Sequence, residues 1–285
     1  GMTGPYADLP SHGIAYDTWA GLVNPEIDEN GFPCIPEHPS TGIHAGPLFG
    51  AFGLLAGVLR ARETGEGSFF EIAQSDSSAY MDWYRSETWK AYERPEDEVT
   101  GNASDNYERR APGTAGMRDG VRYQIYESAD GHVLFMASEQ EFWKNFCEGV
   151  GRMDMFERWP GSKFADHAKR KLEMRRELVE IFKTKTTAEW VMWSGEVNTT
   201  IAPVNTPQTL ADDPQFKDRL DFMPYQTHGA DMLPHPVKFV GEEPVDPTPA
   251  PTAGQHNDEI VTEVLGYSPE RLAELREAGA FGEGN

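Results

Sequence analysis

The sequence predicts an α/β chain carrying a second, compact α+β unit, and three observations lead there. A glycine-studded apolar helix, the turn Glu63-Thr-Gly-Glu-Gly67 and the segment Ser68–Gln74 follow one another as helix, turn and strand. Two alternating runs, Val121-Arg-Tyr-Gln-Ile-Tyr126 and His132-Val-Leu-Phe-Met136, flank an Asp130-Gly131 turn and read as a hairpin. Helical patterns then recur over Gln140–Gly151, Met174–Thr184 and the stretch after Thr186-Thr187.

In chain order, residues 1–42 are rich in Gly, Pro, Asp and Asn, with one periodic piece, Ile14–Ala20, that reads as a short helix stopped at Gly21. From Ala45 to Arg62 an apolar helix places Gly46, Gly50, Gly53 and Gly57 on one stripe. Each glycine costs up to about 1 kcal/mol of helix propensity relative to alanine, so a second backbone is expected close to this stripe. Asp76–Tyr92 reads as an amphipathic, Trp/Tyr-rich helix with Ser75 as its N-cap, and its aromatics are expected in core and dimer contacts. Residues 93–120 form a polar linker, expected to be functional. Thr186 and Glu189 have the spacing of a capping box, and residues 121–222 make up the α+β unit. Residues 223–252 are a second, mostly extended linker, and His256–Ala278 closes the chain as short helices.

The chain has 285 residues and a formal net charge of −22. That balance argues against nucleic acid and anionic membrane as general partners. A polyanionic ligand then needs a locally basic site, for which Arg60, Arg62, Arg109, Arg110, Arg118 and Arg122 are available. Cys34 and Cys147 have no metal-type spacing, so no disulfide framework is expected and a reducing cytoplasm is the default. Gly1–Pro10 lacks the basic and apolar regions of a signal peptide. The run Ile43–Leu59 carries His44, Pro47 and several glycines, and it reads as a buried helix rather than a membrane span. No phosphate loop is made by Gly113, Gly116 and Gly120, and His228 and His235 have no partner ligands for zinc.

Several segments in common order resemble one family. They are Gly4-Pro5-Tyr6-Ala7-Asp8 with Ala20-Gly21, the turn Arg60–Gly67, and Tyr126–Gly131 followed by Phe142-Trp143. They continue with Thr186–Trp190, Ala202-Pro-Val-Asn205 with Asp213-Pro-Gln215 and Arg219, and Pro251–Glu259 running into Leu265–Ser268. Together they resemble the family III CoA-transferases (CaiB/BaiF type), which also contain the α-methylacyl-CoA racemases. The resemblance implies a Rossmann-like large domain, a small α+β domain and a C-terminal segment returning to the large one. On this frame residues 1–92 are the later part of the large domain and 121–222 the small domain, joined through 93–120 and 223–252, with 253–285 as the return. The family's first βαβ units and much of its nucleotide site precede Gly4-Pro5. The resemblance implies an interlocked homodimer, and a complex with a chain carrying that half is the other expectation.

The resemblance also implies substrates and roles. CoA and acyl-CoA enter as substrates with a carboxylic acid acceptor, and no tightly bound cofactor is expected. A carboxylate opens the thioester to a mixed anhydride and then an enzyme-CoA thioester. Counted back from Thr64-Gly65, the position of that carboxylate falls at Gly42 or Ile43, neither a nucleophile; Glu37, His38 and His44 are the nearest substitutes. The racemase segments put His12 at one acid/base position and Glu139 at that of a nearby supporting Glu, while the Asp partner falls on the vacant position near Gly42, which leaves transferase and racemase both open. Thr41-Gly-Ile-His-Ala-Gly46 precedes the long helix, whose free N–H groups would receive a thioester oxygen beside Gly42 and Ile43, with His44 as donor or acid/base. The alternative reading is that the glycines only permit the tight turn and close helix packing there. A third reading, a non-catalytic scaffold chain, also stands.

Overall fold

A computed structural model describes residues 1–98, 118–162, 166–242 and 247–282. Most of the expected 93–120 linker, with Arg109, Arg110, Gly113 and Gly116, lies outside them. The chain divides into two compact units, Gly1–Ala202 and Pro203–Asn285.

The first unit opens with a helical group. The short helix α1 (Ala15–Trp19) is followed by Gly21 at φ +74, the stop its glycine allows. A two-stranded antiparallel ribbon, β1 (Glu26–Ile27) with β2 (Pro33–Cys34), precedes the long helix α2 (Thr41–Thr64). Gly65 ends α2 in the left-handed conformation, donating its N–H to the Ala61 carbonyl. Helices α3 (Gln74–Met81) and α4 (Trp83–Glu93) follow, and α3 packs on both α1 and α2.

Four expectations need correcting here. The long helix starts at Thr41 rather than Ala45, because its first turn receives an acceptor from another part of the chain, described below. It is not buried: only Gly42, Ala45 and Gly46 are, while Leu48, Phe52, Leu55 and Leu59 stand exposed. By length and composition alone it could cross a membrane, a test that core helices also pass. The expected strand at 68–74 has no pairing partner among the described residues, and a strand exists only through its neighbour's hydrogen bonds. The single helix expected over 76–92 breaks at Asp82, and Ala73, not Ser75, is the N-cap of α3.

The glycine stripe does meet close neighbours, but they are side chains rather than a backbone. A Cβ at Gly46 would lie 2.8 Å from Gln74 Cγ, and one at Gly53 2.6 Å from the Phe70 ring; Gly50 faces open space.

The α+β portion follows the sequence pattern. Strand β3 (Tyr123–Glu127) pairs antiparallel with β4 (His132–Met136) across the Asp130-Gly131 turn, with Ile125 opposite Leu134. Strand β5 (Ile201–Pro203) completes the order β3-β4-β5. Val133 and Phe135 point inward by the two-residue alternation of a strand. Helices α5 (Gln140–Gly149), α6 (Met153–Arg158), α7 (Leu172–Phe182) and α8 (Thr187–Glu196) supply Trp143, Phe146, Met155, Leu178, Phe182 and Trp190 to the same core. The capping box is present: Thr186 Oγ accepts the Glu189 N–H, and the Glu189 carboxylate accepts the Thr186 N–H at 2.8 Å. The sequence reading did not anticipate α6. Arg152 and Arg158 tie it to α7 by binding Asp154 and Glu177.

Burial of Cys147 in this core pushes its thiol up to about 12. A thiol reagent at neutral pH is expected to label the half-buried Cys34 and to reach Cys147 only in denaturant; mass mapping of alkylated peptides checks this.

His167 sets an acid limit on stability. Its Nδ1 lies 2.6 Å from Ser138 Oγ, and burial, aided by the Lys169 charge, holds its pKa below the ordinary 6.5. The unfolded chain thus binds a proton that the folded chain refuses. Stability is expected to fall as pH drops through 6.5 and to level off below the folded value. Asp154 and Glu177, held low by Arg152 and Arg158, act separately. Their contribution is present above their unfolded values of 3.8 and 4.5 and is lost as pH falls through the folded ones. Urea midpoints across this range should show the upper step flattened in His167→Gln and the lower one retained.

The second unit holds α9 (Pro207–Leu210), α10 (Pro214–Leu220), α11 (Tyr225–His228), α12 (Asn257–Glu259) and α13 (Pro269–Glu277). Asp213 and Ser268 cap α10 and α13 with their side-chain oxygens. Val261 and Leu272 are its buried apolar residues.

Candidate active site

Helix α1 is apolar around one acidic residue, with Ile14, Ala15 and Tyr16 before Asp17 and Trp19 and Ala20 after it. Asp17 is 1% exposed, and it is the only carboxylate among the buried residues described. Its Oδ1 accepts the Gly42 N–H at 2.8 Å and the Ser78 hydroxyl at 2.8 Å. One carboxylate thus joins α1, the first turn of α2 and α3. Ser40, the N-cap of α2, makes no side-chain cap bond, so Asp17 serves as acceptor from outside the helix.

The same contacts explain why position 42 is glycine. A Cβ there would lie 2.6 Å from Ser78 Oγ, 3.0 Å from Tyr16 Cβ and 3.3 Å from Asp17 Oδ1. On its other side Asp17 faces His38, whose Nε2 is 4.0 Å from Oδ2. The His38 ring donates from Nδ1 to the Pro36 carbonyl at 3.0 Å, and its Nε2 is buried without a hydrogen-bond partner.

The residues singled out from sequence fall in four places. Gly42, Ile43 and His44 lie in the first turn of α2, and Glu37 and His38 lie on the segment leading into it. His44 and Glu37 are exposed, and Ile43 is 44% exposed. The sequence led us to expect the Gly42 N–H to be free for a thioester oxygen; instead Asp17 already occupies it. His12 is exposed just ahead of α1, and its carbonyl accepts the Ala15 N–H. Arg60 and Arg62 sit at the far end of α2. At 1.5 Å per residue that is about 27 Å from Gly42, so they do not share a cluster with it. Arg60 is engaged there by Glu66 and Ser68. Glu139 is the exposed N-cap residue of α5; among the described residues no hydrogen bond or ion pair joins it to His12, Asp17 or His44.

Residues 1–257 match CoA-transferase family III. The chain belongs to that family. It is 25% identical to the human α-methylacyl-CoA racemase over 96% of this chain and 67% of the racemase. It is 24% identical to the human succinyl-CoA:glutarate CoA-transferase over 98% of this chain and 61% of that protein. Among solved structures, the hypothetical protein Rv3272 from Mycobacterium tuberculosis superposes with a TM-score of 0.65 at 20% identity, covering 90% of this chain and 64% of that one. A CaiB/BaiF family protein from Brucella suis gives a TM-score of 0.64 at 16% identity. The chain therefore spans about two thirds of the relatives it matches, and it shares their mixed α/β fold with small sheets.

The sequence reading missed Asp17. Its signal is a lone acidic residue on the inward side of an apolar helical turn, which is costly unless donors wait for it.

Proposed function

We propose that this chain belongs to an enzyme that moves CoA between carboxylic acids through acyl-CoA thioesters. The observation that carries the reading is the family match over residues 1–257, which takes in both the helical group around α2 and the α+β core. In this reading the substrates are an acyl-CoA and an acceptor acid, with no tightly bound cofactor. The enzyme works in a reducing cytoplasm, as a homodimer or in a complex with a second chain. Glu37 and His44 stand beside the start of α2, and Glu139 and His12 line the acyl pocket.

Racemisation is the second reading, supported by the relative at 25% identity and by the His12 and Glu139 positions. The test uses succinyl-CoA with glutarate and, separately, a 2-methylacyl-CoA in deuterated water. Glutaryl-CoA formation is the expected result. Deuterium entering the α-carbon with no acceptor acid present would replace transfer by racemisation. Neither signal, together with no CoA binding, would leave a scaffold chain.

A further inference from the structure

We propose that Asp17 is the carboxylate that attacks the thioester, delivered to the start of α2 from α1. The proposal rests on the transfer reading above and names the residue that performs it.

Three observations converge. First, Asp17 is the one buried carboxylate among the described residues, and its Oδ1 lies 3.3 Å from where a Cβ on Gly42 would stand. The first turn of α2 therefore has a carboxylate against it, although its own residues supply none. Second, the two oxygens are treated unequally. Oδ1 takes two donors, while among the described residues none hydrogen-bonds Oδ2. A carboxylate kept only to join helices would have both oxygens satisfied, as buried polar atoms usually are. Third, the atom facing Oδ2, at 4.0 Å, is the His38 Nε2, which is buried without a hydrogen-bond partner. A buried, unsatisfied ring nitrogen beside a carboxylate oxygen that takes no hydrogen bond marks a place where something else binds. The His38 side chain beside Oδ2 is 14% exposed.

The chemistry balances without an oxidant or reductant. Asp17 Oδ2 attacks the thioester carbonyl, the C–S bond breaks, and CoA leaves as thiolate, giving an anhydride between Asp17 and the acyl group. The thiolate attacks the Asp17 carbonyl and expels the donor acid as carboxylate, leaving an Asp17–CoA thioester. The acceptor carboxylate attacks that thioester and frees CoA thiolate. The thiolate then takes the acceptor acyl group and releases Asp17 unchanged. Gly42 N–H and Ser78 O–H hold Oδ1 throughout and fix the direction in which Oδ2 points.

The test maps the adduct. The protein is incubated with succinyl-CoA, quenched with hydroxylamine or borohydride, digested and analysed by mass spectrometry, with CoA transfer to glutarate followed in parallel. The expected product is a hydroxamate, or the reduced alcohol, on the peptide holding Asp17. Asp17→Asn, which keeps an oxygen for Gly42 and Ser78, is expected to lose both the adduct and transfer while its circular dichroism is unchanged. An adduct on Glu37 or another carboxylate, or transfer at the wild-type rate in Asp17→Asn, overturns the assignment and leaves the transfer reading intact. A wild-type protein that moves no CoA from succinyl-, formyl- or 2-methylacyl-CoA to any acid overturns the reading and this proposal with it.

Discussion

Phe146→Ala is expected to cost the α+β core about 3–5 kcal/mol, the range for removing a fully buried aromatic side chain. Phe146 is 0% exposed and touches five other rings. It lies 4.6 Å from Phe135, 5.5 Å from Phe182 and 5.9 Å from Trp143, between ring centroids, with Trp190 and Trp193 beyond. Alanine leaves a cavity lined by large flat groups that cannot collapse inward without leaving their rotamers. Urea unfolding followed by tryptophan fluorescence reads the loss directly, since three of those neighbours are indoles. Leu55→Ala gives the contrast. Leu55 is 62% exposed on α2, so its truncation is expected to stay within about 0.5 kcal/mol. A Leu55→Ala cost approaching that of Phe146→Ala would mean that the apolar face of α2 is covered in solution.

These two positions show what the sequence revealed and what it concealed. The hairpin, the capping box and the glycine stops at Gly21 and Gly65 were legible because each is set by residues a few positions apart. The core helix holding Phe146 was legible for the same reason, as its apolar face repeats at helical spacing. Residues 68–74 follow a glycine turn and read as a strand, yet a strand needs a neighbour that no local pattern encodes. The apolar run of α2 says that the helix must be covered by something, not that this chain covers it, which is why burial was wrongly expected. The start of α2 was misplaced by four residues because its acceptor, Asp17, is 25 positions away in sequence. The candidate site was therefore half legible: the bend at Gly42–His44 could be read, and the carboxylate held against it could not.

Asp17→Ala is the second large effect, at about 2–4 kcal/mol. The substitution strands two buried donors, the Gly42 N–H and the Ser78 hydroxyl, each at a cost of about 1–3 kcal/mol, and Ser78 recovers part by turning to the Gln74 carbonyl at 3.0 Å. Asp17→Asn keeps the acceptor and is expected to cost about 1 kcal/mol, close to the difference between a charged and a neutral hydrogen bond. Asp17→Ala with Ser78→Ala removes both ends of one bond, so the double mutant should be less destabilised than the sum of the singles by about 0.5–3 kcal/mol. Thermal and urea unfolding of the four proteins measures that coupling; additivity would mean that the Ser78 contact contributes nothing in solution. The Asn variant separates holding from chemistry. A residue that only ties α1, α2 and α3 together predicts an Asn protein nearly as stable and fully active, because the amide oxygen makes the same two contacts. A nucleophile predicts the same near-wild-type stability with no covalent adduct, because the amide offers no carboxylate oxygen toward His38. Stability and labelling measured on that single variant thus point in opposite directions only if Oδ2 is the reacting atom.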